Sequence, residues 1–424
     1  MAVTILGAPA QPLVIHEWGT FTSFQDEAGR SLGGINSDDE PVPSFCHDLD
    51  ALLIAHSGEV PPVLYKGVAS CLPEVTMRLE TPVLYFHVPG GVTCPLTATV
   101  RVGFRGGWLT QFYPEAETDG YARAGGLTER TFGTLTWNSL TIGVDGKGPE
   151  TTERVWTAPR NVQAASVSTA NGESEKFLFY RGVGHLPCPL QLKRSADGAM
   201  LEGRSQIGPC ISDRQPMSVR HLWLASFRED GACAFRSLAP VTLDGRTPSP
   251  EQAALFTVPA RFARDDYSSA KLSQLRTQMR LALQEEGLFP DEAEALLNTW
   301  ELSYFKSTGL RLFFMVPKAW TDSYLPLDVS VPCDIKRAMV GRLELVTPEQ
   351  RALLQELAQG PVPTKSWARY ELRGDRTALR GAMPQAYRDL GRFRNALLLD
   401  EYQTRPTPAL GAFIRLNGLQ GHRL

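Results

Sequence analysis

The hydrophobic period of this chain first changes near Pro248, and that change limits the folds open to it. From Val14 to about Leu238 the apolar residues come in short runs rich in Val, Thr, Phe, Tyr and Trp, divided by Gly, Pro, Asn and Asp clusters. Such runs are strand text. The clearest are "PVLYFHV" (82–88), "LTATVRVGF" (96–104), "GTLTWNSLTIGV" (133–144), "EKFLFYRGV" (175–183) and "RHLWLASF" (220–227). Asp-Gly pairs at 145–146 and 197–198 mark hairpin turns. With no helical pattern between the runs, antiparallel strands packed as a β-sandwich are expected.

Beyond Pro248 the apolar spacing becomes helical. Ser249 and Pro250 open one helix, and Leu272, Leu275, Met279 and Leu283 form the stripe of a second that stops at Gly287. A third follows Pro290 with acids in its first turn, which suits the helix dipole and makes a helical hairpin with the second. Strand text returns at 309–317 and 339–346, then helices at 347–360 and around 384–402. At 424 residues the chain exceeds what one core usually fills. The expected fold is α+β: an antiparallel β-sandwich over 12–245, and a helix-rich mixed domain or cap over 246–424.

Several function classes are excluded early. A net charge of −3 gives no electrostatic footprint for nucleic acid or an anionic membrane. No apolar run reaches the roughly 18 residues of a membrane span. The N-terminus lacks the basic start of a signal peptide, which implies a cytoplasmic protein as written; "APA" at 8–10 resembles the end of a cleavage site, which implies an exported, periplasmic one if a signal was trimmed. Seven cysteines without a CxxC read as buried thiols, with Cys71–Cys94 and Cys188–Cys210 the first pairings to consider in an exported protein. GxSxG, P-loop and dinucleotide fingerprints are missing, which argues against a serine hydrolase, ATP and NAD.

Histidine distribution points to where chemistry would sit, because six of the seven lie within the first 221 residues. In "VIHEWGTFTSFQDEAGR" (14–30) a strand would place His16, Trp18, Thr20 and Thr22 on one face and Glu17 on the other, with Gly19 a position for a bulge. In "INSDDEPVPSFCHDLD" (35–50) three adjacent carboxylates, Asp38, Asp39 and Glu40, precede His47. Adjacent acids repel unless solvated or neutralised by a cation. His16, His47 and one of those carboxylates compose a two-His, one-carboxylate set suited to Fe, Cu, Mn or Zn. Glu17, Glu80, Tyr85 and Arg181 are the candidates for acid/base and anchoring work, and His185 with Cys188 has an HxxC spacing. The same residues admit plain roles: His16 as a hydrogen-bonded core histidine, Glu17 paired with an arginine, and Arg78 paired with Glu80.

The leading expectation is therefore a metal-dependent enzyme, oxidative or hydrolytic, acting on a small molecule or peptide. Two alternatives stand beside it. One is a binding module for peptide or glycan that exposes Trp108, Tyr113, Trp137 and Trp156; the other is a metal-free hydrolase built on Glu80 and a second carboxylate. "IHEWGTFTS", "NSDDEPVPSF", "RLETPVLYF", "FLFYRG", "LPLDVS" and "VGRLELVTPE" together resemble a family of uncharacterised bacterial proteins, from Ile15 to about Glu349. The resemblance implies export in many members and brings no activity with it.

Overall fold

The computed structural model describes residues 12–36, 42–49, 64–65, 68–69, 71–90, 95–120, 126–207, 211, 215–243, 254–364, 383–417 and 419. Its organising element is the first strand, Leu13–Gln25, which is buried along nearly its whole length. On one side it pairs in parallel with Cys333–Leu345, and on the other it pairs antiparallel with Met77–His87. Outward from Met77–His87 lie Leu178–Gly184, Gly107–Tyr113 and Phe132–Ile142. Beyond Cys333–Leu345 lie Gly309–Met315, Leu222–Phe227 and Cys233–Leu238. These strands belong to one mixed sheet of fifteen.

Both faces of the centre are covered, which explains why its strands lack a clean polar and apolar alternation. Trp18, Val83 and Tyr85 pack beneath a helical hairpin, Ser269–Glu285 and Pro290–Thr299, against Leu275, Met279, Leu283 and Leu296. Ile15, Phe21, Leu79, Leu84 and Phe86 form the other face, where Phe21 stacks on Trp320 of the helix Lys318–Tyr324 at 5.2 Å between centroids. Past the end of the first strand's turn of core, Phe24 joins a third cluster with the helices Pro348–Gln359, Arg394–Thr404 and Pro408–Leu416. Local signals start these helices where expected: Ser268 accepts from the Lys271 N–H, and Thr347 with Gln350 makes a reciprocal cap.

The mixed α and β content agrees with the α+β expectation, and the arrangement of strands differs from a simple antiparallel sandwich. One strand from beyond residue 246, Cys333–Leu345, lies next to the first strand and a second, Gly309–Met315, lies beyond it, so one continuous sheet takes strands from both sides of the boundary expected at 245–246. The physical reason is that a strand buried on both edges needs two neighbours, and alternation within a run does not say which distant run supplies them. The helix expected from Ser249 begins outside the described residues, and Phe256–Pro259 within that region is a strand paired with Met200–Ser205. Of the cysteines in the expected pairings, Cys188 is a free thiol whose pKa burial raises to about 12, and Cys210 and Cys94 lie outside the described residues. No helix among the described residues is long and apolar enough to cross a membrane.

The expected bulge is present: register against Met77–His87 shifts between Trp18 and Thr20, opposite Pro82. Pro82 therefore sits inside the sheet at an irregularity, where its missing N–H costs no ladder bond. Gly182 marks a second shift, against both of its neighbours, and a Cβ there would meet the Trp108 carbonyl oxygen at 2.0 Å. Gly182→Ala is accordingly expected to lower unfolding free energy by about 1–3 kcal/mol or more. A urea midpoint equal to that of the parent would contradict this placement of Gly182.

Candidate metal centre

Antiparallel pairing of His16 with Tyr85 and of Val14 with His87 puts His16 and His87 diagonally adjacent on one face of the sheet. Their ring centroids are 4.7 Å apart at 61°. Over that face comes the start of the helix Pro290–Thr299. Pro290 fixes the first turn, and Glu292, the third helical residue, turns back so that its Oε2 accepts the Phe289 N–H at 2.7 Å. The same carboxylate meets His16 Nδ1 through Oε2 at 2.7 Å and His87 Nε2 through Oε1 at 2.9 Å. Glu292 has 0% exposure, His16 3% and the His87 side chain 15%. The Phe289 ring lies against both imidazoles, at 4.6 and 4.8 Å, and is itself 45% exposed.

Burial raises the Glu292 carboxyl, and the hydrogen bonds from His16, His87 and the Phe289 N–H outweigh it, so the group ionises below its ordinary 4.5. A fully buried carboxylate is thus held charged between two imidazoles, at the positive end of a helix dipole. One nitrogen from each ring and one carboxylate oxygen lie within 4.8 Å of one another, the one such three-residue group among the described residues. Donors bound to a first-row metal at about 2.0–2.2 Å in tetrahedral geometry stand about 3.3–3.6 Å apart, so a spacing of 4.8 Å has to contract by about 1.2–1.5 Å on binding. Two nitrogens and a carboxylate occupy only part of a coordination sphere and leave positions for water or substrate.

Other expected site residues have other surroundings. Glu17 points to the opposite face from His16, as alternation requires; its Oε1 accepts from Tyr180 Oη and its Oε2 from Arg337 Nε, and Arg337 continues to Asp322 at 3.0 Å. His47 bonds Glu173 at 2.9 Å and stacks on Phe112 and Tyr113, and it is no member of the His16 group. Asp38, Asp39 and Glu40 lie outside the described residues. Glu80 is buried in an ion pair with Arg78 at 3.0 Å. Tyr85, wholly buried, donates to the Pro159 carbonyl at 2.9 Å, and burial pushes its hydroxyl well above its ordinary value. Arg181 donates from Nε to Gln111 and is also buried. His185 meets the Glu74 carbonyl at 2.6 Å, apart from any thiolate role for Cys188.

Trp108, Tyr113, Trp137 and Trp156 are buried, which removes the exposed aromatic platform. The two residues that sequence reasoning missed are His87 and Glu292. His87 lies within the strand run 82–88 and Glu292 is one of the acids in the helix turn after Pro290; their meeting with His16 has no signal in the sequence.

No family model and no curated protein matches the chain. Among solved structures, the Fcho1 Mu homology domain of Danio rerio with bound Eps15 peptide is similar over 80% of this chain and 98% of that chain, at 9% identity and a TM-score of 0.31. So low a score carries no functional argument.

Two outcomes test these assignments. Glu17→Ala leaves Arg337 buried beside an empty place, so a loss of about 3–5 kcal/mol in denaturant unfolding is expected; a change under 1 kcal/mol would contradict a structural role. For Glu292 the folded value is the lower one, so its contribution is present above pH 4.5 and fades as pH falls through the folded value. In metal-free protein, Glu292→Gln should therefore lose less stability than the parent as pH falls below 4.5, and parallel pH profiles would contradict this.

Proposed function

We propose that the chain is a metal-dependent enzyme holding one divalent first-row ion on His16 Nδ1, His87 Nε2 and the Glu292 carboxylate. The observation that supports this best is the convergence of three ligand-capable groups from three segments, with one carboxylate kept ionised though wholly buried. This donor set, nitrogen and oxygen without thiolate, suits iron, manganese, copper or zinc. When bound, such an ion supplies Lewis acidity and, for the redox metals, an electron couple.

The chain's own residues have definite parts. Glu292 offsets the cation's charge and is kept in place by the Phe289 N–H. Phe289 shields both imidazoles on one side. His87, the most exposed of the three, marks the side from which a small molecule or peptide would approach. Oxidation is the first chemistry to screen and hydrolysis the second.

The test is metal titration of tag-free, metal-stripped protein with Zn(II), Mn(II), Fe(II) and Cu(II). Near one ion per chain is expected for at least one metal. His16→Ala and His87→Ala should each weaken it by more than the about 10–100-fold that an outer supporting residue costs, while His47→Ala binds as the parent does. Absence of stoichiometric binding, or equal binding by the His16 and His87 variants, would overturn the proposal.

A further inference from the structure

A second site lies at the other end of the central strands. Leu310 pairs with Leu345, and Leu345 with Gln25, nine residues from His16 or about 30 Å along an extended strand. There a groove of about 460 Å³ opens between the strand ends around Phe227 and Gly309, the loop from Ala260 to Tyr267 and the start of the helix Pro348–Gln359. That volume is in the range of about 300–1,000 Å³ typical of small-molecule sites.

Three arginines, Arg194, Arg228 and Arg261, line it. None of them forms an ion pair with a carboxylate of the described residues, although arginines elsewhere on the surface do, as Arg220 does with Glu286 at 2.5 Å. Arg228 lies over the Tyr267 ring at 3.6 Å, which holds its guanidinium in place without neutralising it. Arg194 donates from Nη2 to the Val346 carbonyl at 3.1 Å, and its buried Nε has no hydrogen-bond partner. Two carboxylates, Glu349 and Asp389, also reach the groove, both from exposed positions. Between the charges the lining is mixed, with Phe227, Phe262, Leu310 and Leu353 beside the polar Ser226 and Thr308.

In a chain of net charge −3, a groove lined by three arginines and two carboxylates, with no arginine closed into an ion pair among the described residues, keeps a positive excess that favours an anion, although Glu27 and Glu349 both attract Arg194. We infer that this groove binds a small organic anion, a doubly charged oxyanion carried on an apolar ring. Guanidinium forks match phosphate and carboxylate oxygens, and the aromatic walls fit the ring. The site is independent of the metal centre.

Calorimetric titration of the full chain separates the possible sources. The probes are phenyl phosphate, phthalate, inorganic phosphate and phenol. Binding of phenyl phosphate or phthalate at one per chain is expected, at least tenfold tighter than inorganic phosphate, with phenol silent; the tighter aromatic anion identifies the oxyanion. Arg228→Gln and Arg261→Gln, checked for an unchanged thermal midpoint, should each weaken that binding about tenfold, whereas His16→Ala should bind as the parent does. The inference is overturned if neither aromatic anion binds, if the ring adds nothing over inorganic phosphate, or if both arginine variants bind like the parent.

Discussion

Burial of the strand Leu13–Gln25 on both faces is the constraint on which the remainder depends, because that strand carries polar side chains it has no water to satisfy. His16, Glu17, Thr20 and Gln25 each find a partner in a different part of the chain, whereas the buried Thr22 hydroxyl has none among the described residues. His16 meets Glu292, Glu17 meets Tyr180 and Arg337, Thr20 accepts from Tyr304, and Gln25 bonds the backbone at Leu190 and Leu192. A buried polar group left alone costs about 1–3 kcal/mol, more for a charged one, so these bonds select which helices and strands can close over the sheet. Apolar packing supplies the bulk of the stabilisation, and the polar pins give it a single arrangement.

The two acidic pins differ in what they can do. Glu17 has both oxygens committed to a guanidinium and a phenol, neither of which binds a metal in place of its proton here. It locks the Cys333–Leu345 strand and, through Asp322, the Lys318–Tyr324 helix to the centre of the sheet. Glu292 is held by two imidazoles, side chains whose nitrogens can in general exchange a proton for a metal. The same face of the sheet thus offers an anchor for the helical hairpin and a ready set of donors. Closure by Phe289 keeps that set dry enough for charge to matter.

Much of this was legible in the sequence, and its limit can be stated in residues. Alternation put His16 and Glu17 on opposite faces, Gly19 suggested the bulge, and Pro290 with its acids suggested a helix start; all three are present. The pairing of Arg78 with Glu80 was also readable from their two-residue spacing on one strand. The third member of the metal set was not, because Glu292 is 276 residues from His16 and no local spacing encodes a contact of that length. His47 attracted attention through the acidic run beside it, yet its neighbour is Glu173, which the sequence did not single out. Likewise, the runs at 309–317 and 339–346 are readable as strands, while the pairing of Cys333–Leu345 with Leu13–Gln25 on one side and Gly309–Met315 on the other is not.

X-ray absorption at the zinc edge of the zinc-loaded chain tests the central claim most directly, since it reports the donors themselves. The account predicts imidazole scattering from two histidines, nitrogen and oxygen donors at about 2.0–2.1 Å, and no sulfur. Loss of one imidazole in His87→Ala, with zinc restored at excess, would follow from the same geometry. Sulfur at about 2.3 Å, or a spectrum without imidazole, would contradict it.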